Sequence, residues 1–457
     1  MIHAQAKTTR HLPQQVKGMP FFGPMKAVNE DIAQFLLDNT HQLGDAYTFS
    51  IANKRAFVFH NPDVIREILQ NWEIFRKAPP RRNPRWVGLG YFLGTGLLSN
   101  DGDFWKSQRK LIQPSFHAQY IRNYADTMLH YTNQMLANWR AGDVREIEHE
   151  MMNLTLHIAT KTLFNVEADD YTSMADSITE MQHESLKLLR SPLKLPQWMP
   201  TLQNFKIRRL NKVVDDVVYN IIEKRKASGD MEQGDLLSML MNAKDENGDG
   251  MNPQQLRDEV ITLFVAGHET TALSLSWLFY LLAENPHIQQ CLYQEIEATI
   301  GNRAITLEDL RKMPYLNKVI NETLRLYPVG WLFPRFAYQN TTLAGYDINA
   351  GDMILTSPYV LHRDPQWFPN PEQFDPERFN EENSKSIGKY TYLPFGGGPR
   401  VCIGNSFAMM ELQIIVATIA QHYTLELVPN QTIEPEPLVT MRPKYGITMR
   451  LNPRKSV

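Results

Sequence analysis

Cysteine is nearly missing from this chain of 457 residues: only Cys291 and Cys402 occur. Two thiols cannot build a four-thiolate zinc or iron–sulfur site. So few also favour a reducing compartment over a disulfide-stapled fold. An excess of one charge is missing too. Lysine and arginine number 47 against 50 acidic residues, a formal net charge of −3, so there is no global basic field of the kind that nucleic acid attracts. Long apolar runs are absent: Ile261–Leu282 is interrupted by charge and Leu412–Ala420 is too short to span a bilayer. Met1 to Met19 is polar and shows neither a signal peptide nor an anchor helix. No repeat or low-complexity linker divides the sequence, and 43% hydrophobic residues suffice for a large core.

What is present is mostly helical periodicity. Ile32–Leu43, Pro62–Gln70, Ala118–Ala141, Glu148–Leu163, Ser173–Leu189, Phe205–Ala227, Leu256–Glu284 and Asn405–Ala420 read as helices. Ala46–Ile51 and Arg55–Phe59 read as a hairpin about a polar turn at Asn53-Lys54. Short strands are expected at Thr342–Ala344, Met353–Ser357, Tyr423–Val428 and Gly446–Leu451. The fold class is therefore mostly α with a smaller β lobe. Asp245-Glu246-Asn247-Gly248-Asp249-Gly250 imitates the start of a calcium loop, but Leu256 stands where the bidentate acid belongs, so a solvated turn is expected.

One thiol stands out. Cys402 lies in Phe395-Gly396-Gly397-Gly398-Pro399-Arg400-Val401-Cys402-Ile403-Gly404, just before a helix. The glycines let a flat ligand approach the backbone. The positive end of the following helix favours a thiolate, and Arg400 adds a cation for an anionic group. A thiolate so surrounded suits an axial ligand to haem iron; the plainer reading is a Gly-rich turn with a buried cysteine. A second unusual run, Ala266-Gly267-His268-Glu269-Thr270-Thr271, sits inside an apolar helix. Gly there costs ~1 kcal/mol relative to Ala, a buried carboxylate needs partners or a shifted pKa, and Thr270 could bond back to the Ala266 carbonyl and open a groove. His268, about 200° round the helix from Thr270, should face elsewhere.

These residues resemble the cytochrome P450 family. Phe395, Gly398, Arg400, Cys402 and Gly404 fill its Phe-x-x-Gly-x-Arg-x-Cys-x-Gly haem-ligand signature. Gly267, Glu269 and Thr270 match its distal-helix pattern, in which the glycine leaves room for dioxygen and the acid and threonine relay protons. Glu322-Thr323-Leu324-Arg325 matches its Glu-x-x-Arg, with Arg378 of Pro376-Glu377-Arg378-Phe379 completing a structural cluster that holds the Cys402 loop. The resemblance implies a single haem domain over 1–457 without a fused reductase, binding haem b (iron protoporphyrin IX), with Cys402 as metal ligand. Propionate contacts are expected from Arg400, Arg335, Trp105, Arg109 and, more weakly, Lys77.

The substrate pocket implied by the resemblance draws on Trp86, Leu89, Tyr91, Phe92, Leu97, Phe264, Ala266, Leu332, Phe333, Val439 and Met441, which suits a lipophilic substrate such as a fatty acid or terpenoid. Arg81, Arg82 and Arg85 could meet a substrate carboxylate or simply form an exposed basic loop. The implied reaction is hydroxylation with O2 and two electrons from a separate ferredoxin or flavodoxin-type donor, docked by Lys106, Arg109 and Lys110, in the cytoplasm, without nucleic acid and without a membrane anchor. A peroxide-driven peroxygenase and a non-catalytic haem gas sensor are the rivals; the Glu269-Thr270 pair argues for oxygen activation.

Overall fold

The computed structural model describes residues 11–18, 23–51, 54–80, 90–166, 172–190, 199–229, 234–245 and 248–454. Met1 to Arg10, Met19, Asn53, Arg81, Arg82, Arg85, Trp86, Leu89, Glu246 and Asn247 lie outside them.

The helices that position the site are α1 (Pro62–Gln70), α2 (Gly102–Ile112), α3 (Ile147–Phe164), α4 (Leu202–Ser228), α5 (Pro253–Glu284), α6 (Pro314–Leu326) and α7 (Asn405–His422). Helix α5 is the axis of the molecule. It starts with a capping box between Asn252 and Gln255 and with Pro253 in its first turn, which together satisfy amides that the helix itself leaves unpaired. It is apolar around most of its circumference, as befits a helix enclosed by others. It packs against α3, α4, α6 and α7, and the Thr155 hydroxyl of α3 donates to the His268 carbonyl at 3.0 Å.

The strands are β1 (Gln14–Gln15), β2 (Ala46–Ile51), β3 (Lys54–Phe59), β4 (Phe75–Arg76), β5 (Val144–Glu146), β6 (Phe333–Ala337), β7 (Thr341–Leu343), β8 (Tyr346–Ile348), β9 (Met353–Thr356), β10 (Tyr423–Leu427), β11 (Pro435–Pro437), β12 (Met441–Pro443) and β13 (Thr448–Pro453). The main sheet runs β1-β2-β3-β9-β6-β4. Its antiparallel β4–β6 pair sets Arg76 opposite Phe336, so two stretches 260 residues apart, one ending in Lys77 and one carrying Arg335, become neighbours.

Most expected elements stand within a few residues of their anticipated ends. Two depart for physical reasons. Ala118–Ala141 is broken: a 3-10 turn at Arg122–Tyr124 separates Ala118–Ile121 from Ala125–Ala137, and the Tyr124 ring packs on Phe407. The last strand begins at Thr448 rather than Gly446. Gly446 has φ +71°, a Cβ there would stand 2.8 Å from Glu146 Oε1, and the Ile447 amide donates to that same oxygen. Among the described residues no helix is long and apolar enough to cross a membrane.

Candidate functional site

Cys402 sits between a short 3-10 turn, Gly398–Arg400, and the start of α7. Its amide donates to the Phe395 carbonyl at 2.9 Å, closing the loop into a ring with the thiol at its rim. Cys402 retains exposed surface as a residue, although protein surrounds its sulfur closely enough to desolvate it. Burial of its surroundings pushes its pKa up, while the Gly404 amide and the Arg109 guanidinium pull it down. A thiol so placed stays protonated unless a cation is brought against it. Two of the glycines are also required by the loop's own packing. Gly398, at φ +65°, lies where a Cβ would overlap the Leu69 carbonyl of α1, and a Cβ on Gly397 would press on Tyr390, Leu393 and Leu69. Gly398 thus lets the loop pack on the α1 backbone, and Gly397 lets it pack on side chains.

Beside this loop lies an excess of cations: the Arg335 and Arg400 side chains are buried and Lys77 is half-buried. Arg400 bonds Asp101 at 2.6 Å and the Asn100 carbonyl at 3.0 Å, and its guanidinium lies 4.2 Å from the centre of the Trp105 ring. Its Nε and Nη1 are buried without a partner. Arg335 is buried and donates to its neighbour's carbonyl, Pro334 O, at 2.8 Å. Burial pushes both guanidinium pKa values down to about 10, with Asp101 opposing. Lys77 donates to the Leu98 carbonyl; its pKa is held well below the ordinary lysine value by burial, then by Arg400 and Arg335, again against Asp101. Asp101 also accepts the Lys77 and Ala78 amides at 2.8 and 2.9 Å. Three cations share one carboxylate, and buried charge without compensation is costly. The arrangement suits a ligand with carboxylates of its own, as the two propionates of haem would supply. Arg109 differs: it donates to the Val401 carbonyl at 2.7 Å and so braces the thiol loop.

On α5 the opening lies where the polar run stands. Its neighbours are buried, but Ala266 is exposed and Gly267 and Thr270 are half-buried. Thr270 donates to the Ala266 carbonyl at 2.7 Å, as expected, yet the helix continues unbroken. Glu269 is buried and accepts from the Thr440 hydroxyl at 2.8 Å. It faces the Glu148–Arg442 ion pair, 2.5 Å long, and its charge acts on both partners. His268 turns inward, with Nδ1 2.9 Å from the Phe264 carbonyl.

Behind the thiol loop, Glu322 grips Arg325 through two bonds of 2.7 and 2.8 Å and Arg378 through one of 3.2 Å. Arg325 donates to the His362 carbonyl at 2.7 Å. Burial lowers the His362 pKa to about 3, so its Nε2 accepts the Leu393 amide at 2.9 Å. That bond reaches the residue two before Phe395. Asp101, His362 and Thr440 carry no motif, so nothing in the sequence marked them; each gains its role from a contact across long chain separation.

The pocket candidates divide. Ala266 is open, and Leu332, Phe333, Val439 and Phe395 are half-buried. Phe264, Phe92 and Met441 are buried in hydrophobic clusters. Phe264 stands about 200° round α5 from Ala266 and stacks on Phe164 at 6.3 Å, so it belongs to the core. The Met441 carbonyl accepts from the Trp277 indole at 3.1 Å and its amide donates to the Val329 carbonyl at 3.0 Å. Tyr91 lies in the short helix Gly90–Leu93, and Leu89 is outside the described residues. Gly404 packs near Phe116. Among the described residues no three His, Cys, Asp or Glu side chains could hold a metal ion. A metal at Cys402 must therefore bring other ligands with it, as a porphyrin does. The residues fit haem on both counts, one thiol and three cations that share a single carboxylate.

Glu411 of α7 is fully buried, and both its oxygens lack hydrogen-bond partners. Burial pushes its pKa up to about 8; the nearby Thr271 hydroxyl opposes this only in part. The folded protein thus keeps a proton that the unfolded chain sheds above pH ~4.5. The contribution is whole below that pH and is lost as pH rises towards 8. Glu411→Gln is expected to gain on the parent by up to ~1.4 kcal/mol per pH unit over this window, measured by denaturant midpoints at pH 5 and 8. Parallel curves would refute the assignment.

The sequence profile of the cytochrome P450 family matches residues 13–449. The chain is 32% identical to a cyclooctatin synthase of Streptomyces melanosporofaciens, over 96% of this chain and 95% of that one. It is 34% identical to a cyclooctat-9-en-7-ol 5-monooxygenase of the same organism, over 91% and 90%. It is also 33% identical to a cytokinin hydroxylase of Arabidopsis thaliana, over 87% and 81%.

Proposed function

The chain belongs to the cytochrome P450 family and is a haem b-dependent monooxygenase, and from that premise we propose which residues serve the reaction and what it acts on. The observation that carries the reading is the pairing of an exposed cysteine, Cys402, with an open patch on the helix packed against its own, where Ala266 and Gly267 stand beside the Thr270 hydroxyl. Haem held there supplies the oxygen-activating chemistry. The whole of 1–457 serves as one haem domain.

Cys402 is the metal ligand. Lys77, Arg335 and Arg400 hold the propionates; Trp105 and Asp101 hold Arg400 in turn, and Arg109 steadies the loop through Val401. Phe395 and Gly404 frame the thiol, and Glu322, Arg325 and Arg378 brace the loop through His362. Gly267 adds no side chain beside Thr270, and it lets α5 lie against Leu163 of α3, which a Cβ there would approach to 3.3 Å. The Thr270 hydroxyl, parked on the Ala266 carbonyl, can turn to donate its proton into the open patch. Glu269, oriented by Thr440, returns a proton to it. This pair is what favours oxygen over added peroxide as the oxidant.

The substrate is lipophilic. The open positions, Ala266, Leu332, Phe333 and Val439, offer apolar surface and no charge. The names of two bacterial relatives refer to cyclooctatin and to an unsaturated cyclic alcohol, which supports a terpenoid ahead of a fatty acid. Two electrons come from a separate ferredoxin or flavodoxin-type donor, for which the exposed Lys106 and Lys110 of α2 offer charge. The near absence of cysteine suits the cytoplasm.

The test is a titration of ferric holoenzyme with cyclic terpenoids and with fatty acids, followed through the haem spectrum. Terpenoids should shift it at lower concentration. With a compound that binds, Thr270→Ala should lower product per electron pair by roughly tenfold or more, with hydrogen peroxide released in its place and haem retained. Unchanged coupling would remove Thr270 from the relay, and tighter binding of fatty acids would reverse the substrate order.

A further inference from the structure

Four residues spaced by four, Asp258, Thr262, Ala266 and Thr270, form one stripe along α5. Its second half is the open patch. Its first half is covered by the segment Gly94–Leu97, and the cover is built with care. The Thr95 amide and hydroxyl donate to Asp258 Oδ2 at 2.8 and 3.1 Å. The Leu97 amide donates to Glu259 Oε2 at 2.9 Å. Asp258 is itself held by Arg257 at 2.8 Å and Gln254 at 2.9 Å, and Arg257 is anchored to Asp215 of α4 at 2.7 Å.

Glycine makes the contact this close. A Cβ on Gly94 would overlap the Asp258 carboxylate, and one on Gly96 would overlap the Thr262 hydroxyl and stand 2.6 Å from the Asp258 carbonyl. Asp258, Glu259 and Thr262 are 0%, 1% and 3% exposed. The Thr262 hydroxyl is buried without a partner. Packing for stability alone would not choose two carboxylates and an orphaned hydroxyl here; apolar side chains would do as well at less cost.

We propose that Asp258 and Glu259 are positioning residues for substrate selection: they clamp Gly94–Leu97 over Thr262, and so set the upper wall of the substrate pocket one helical turn above Thr270's neighbour Ala266. Releasing the clamp would lengthen the pocket along the stripe by about one turn, ~5.4 Å. Substrate length, rather than the chemistry at Thr270, is what these residues govern. The inference rests on the distal-patch reading above.

Two readouts test it in haem-loaded protein, with 1-alkylimidazoles of increasing chain length as probes. The first is hydrogen exchange at the Thr95 and Leu97 amides. The second is the chain length at which binding, followed by the ferric spectrum, is tightest. Glu259→Leu should speed Leu97 exchange by roughly tenfold, the loss of one protected bond, and move the optimum to longer chains. Glu259→Gln keeps an acceptor oxygen and should restore both. Gly96→Ala displaces the same segment from the other side and should reproduce the lengthened optimum; it also serves if Glu259→Leu does not fold. Fast exchange with an unmoved optimum, or unmoved exchange, would overturn the proposal. Parent protein that bound no member of the series would instead strike at the distal-patch reading beneath it.

Discussion

Cys402→Ala is expected to abolish the thiolate-type spectrum of the reduced carbon monoxide complex, and monooxygenation with it. The expectation follows from the scarcity of substitutes. Among the described residues no His, Cys, Asp or Glu cluster could take over a metal, and the second cysteine, Cys291, is exposed in the separate helix Pro286–Ile300. The loss should be specific. Cys402 contributes its amide to the loop, through Phe395, and alanine keeps that bond. The cations at Lys77, Arg335 and Arg400 also remain, so residual haem association is expected with altered ligation. Cys291→Ala is the control and should leave spectrum and turnover intact. A Cys402→Ala protein with the parent spectrum would end the ligand assignment.

The thiol loop and the polar run of α5 were legible in the sequence because both break local rules. Glycines crowd a cysteine in one, and Gly, Glu and Thr interrupt an apolar helix in the other. Helix positions were legible for the opposite reason: apolar periodicity follows the period of the element and survives any tertiary arrangement. What could not be read were partners. Arg400 was recognisable as a cation near the thiol, but its carboxylate, Asp101, lies 299 residues away in a stretch with no pattern of its own. Glu269 was recognisable as a costly buried acid, yet Thr440, which orients it, comes from a turn 171 residues later.

The glycines show the subtler limit. Their spacing identified the loop, while the reason for them lay in a neighbour that the sequence does not name. Gly398 is needed because the carbonyl of Leu69, at the end of α1, stands where a Cβ would be. Phe264 lies in the core for the same reason that His268 turns inward. Both follow from angular position on α5, and an apolar side chain two residues from the opening faces away from it.

Glu322→Ala should be the most destabilising of the substitutions considered, by about 3–5 kcal/mol. Glu322 and Arg325 are both 0% exposed and Arg378 is 10% exposed. Removing the carboxylate leaves a fully buried guanidinium facing two neutral carbonyls, of His362 and Gln373, and the Phe368 ring, with no carboxylate bonded to it. The Asp375 amide, which donates to Glu322 Oε1 at 2.9 Å, is orphaned as well. The damage should propagate along a defined route. Arg325 positions the main chain at His362, and His362 Nε2 holds the Leu393 amide at the entry to the thiol loop. Loss of the cluster should therefore loosen Cys402 itself. The reduced carbon monoxide complex should lose its thiolate-type band on storage faster than the parent does, alongside a lowered denaturant midpoint. Glu322→Gln, which keeps one acceptor but not the charge, should fall between the two. His362→Ala separates stability from signalling to the loop: it leaves the Glu322–Arg325–Arg378 bonds in place, so the midpoint should drop less while the spectral change persists. A Glu322→Ala protein that lost stability but kept a durable thiolate spectrum would confine the cluster to packing and break the link to the Cys402 loop.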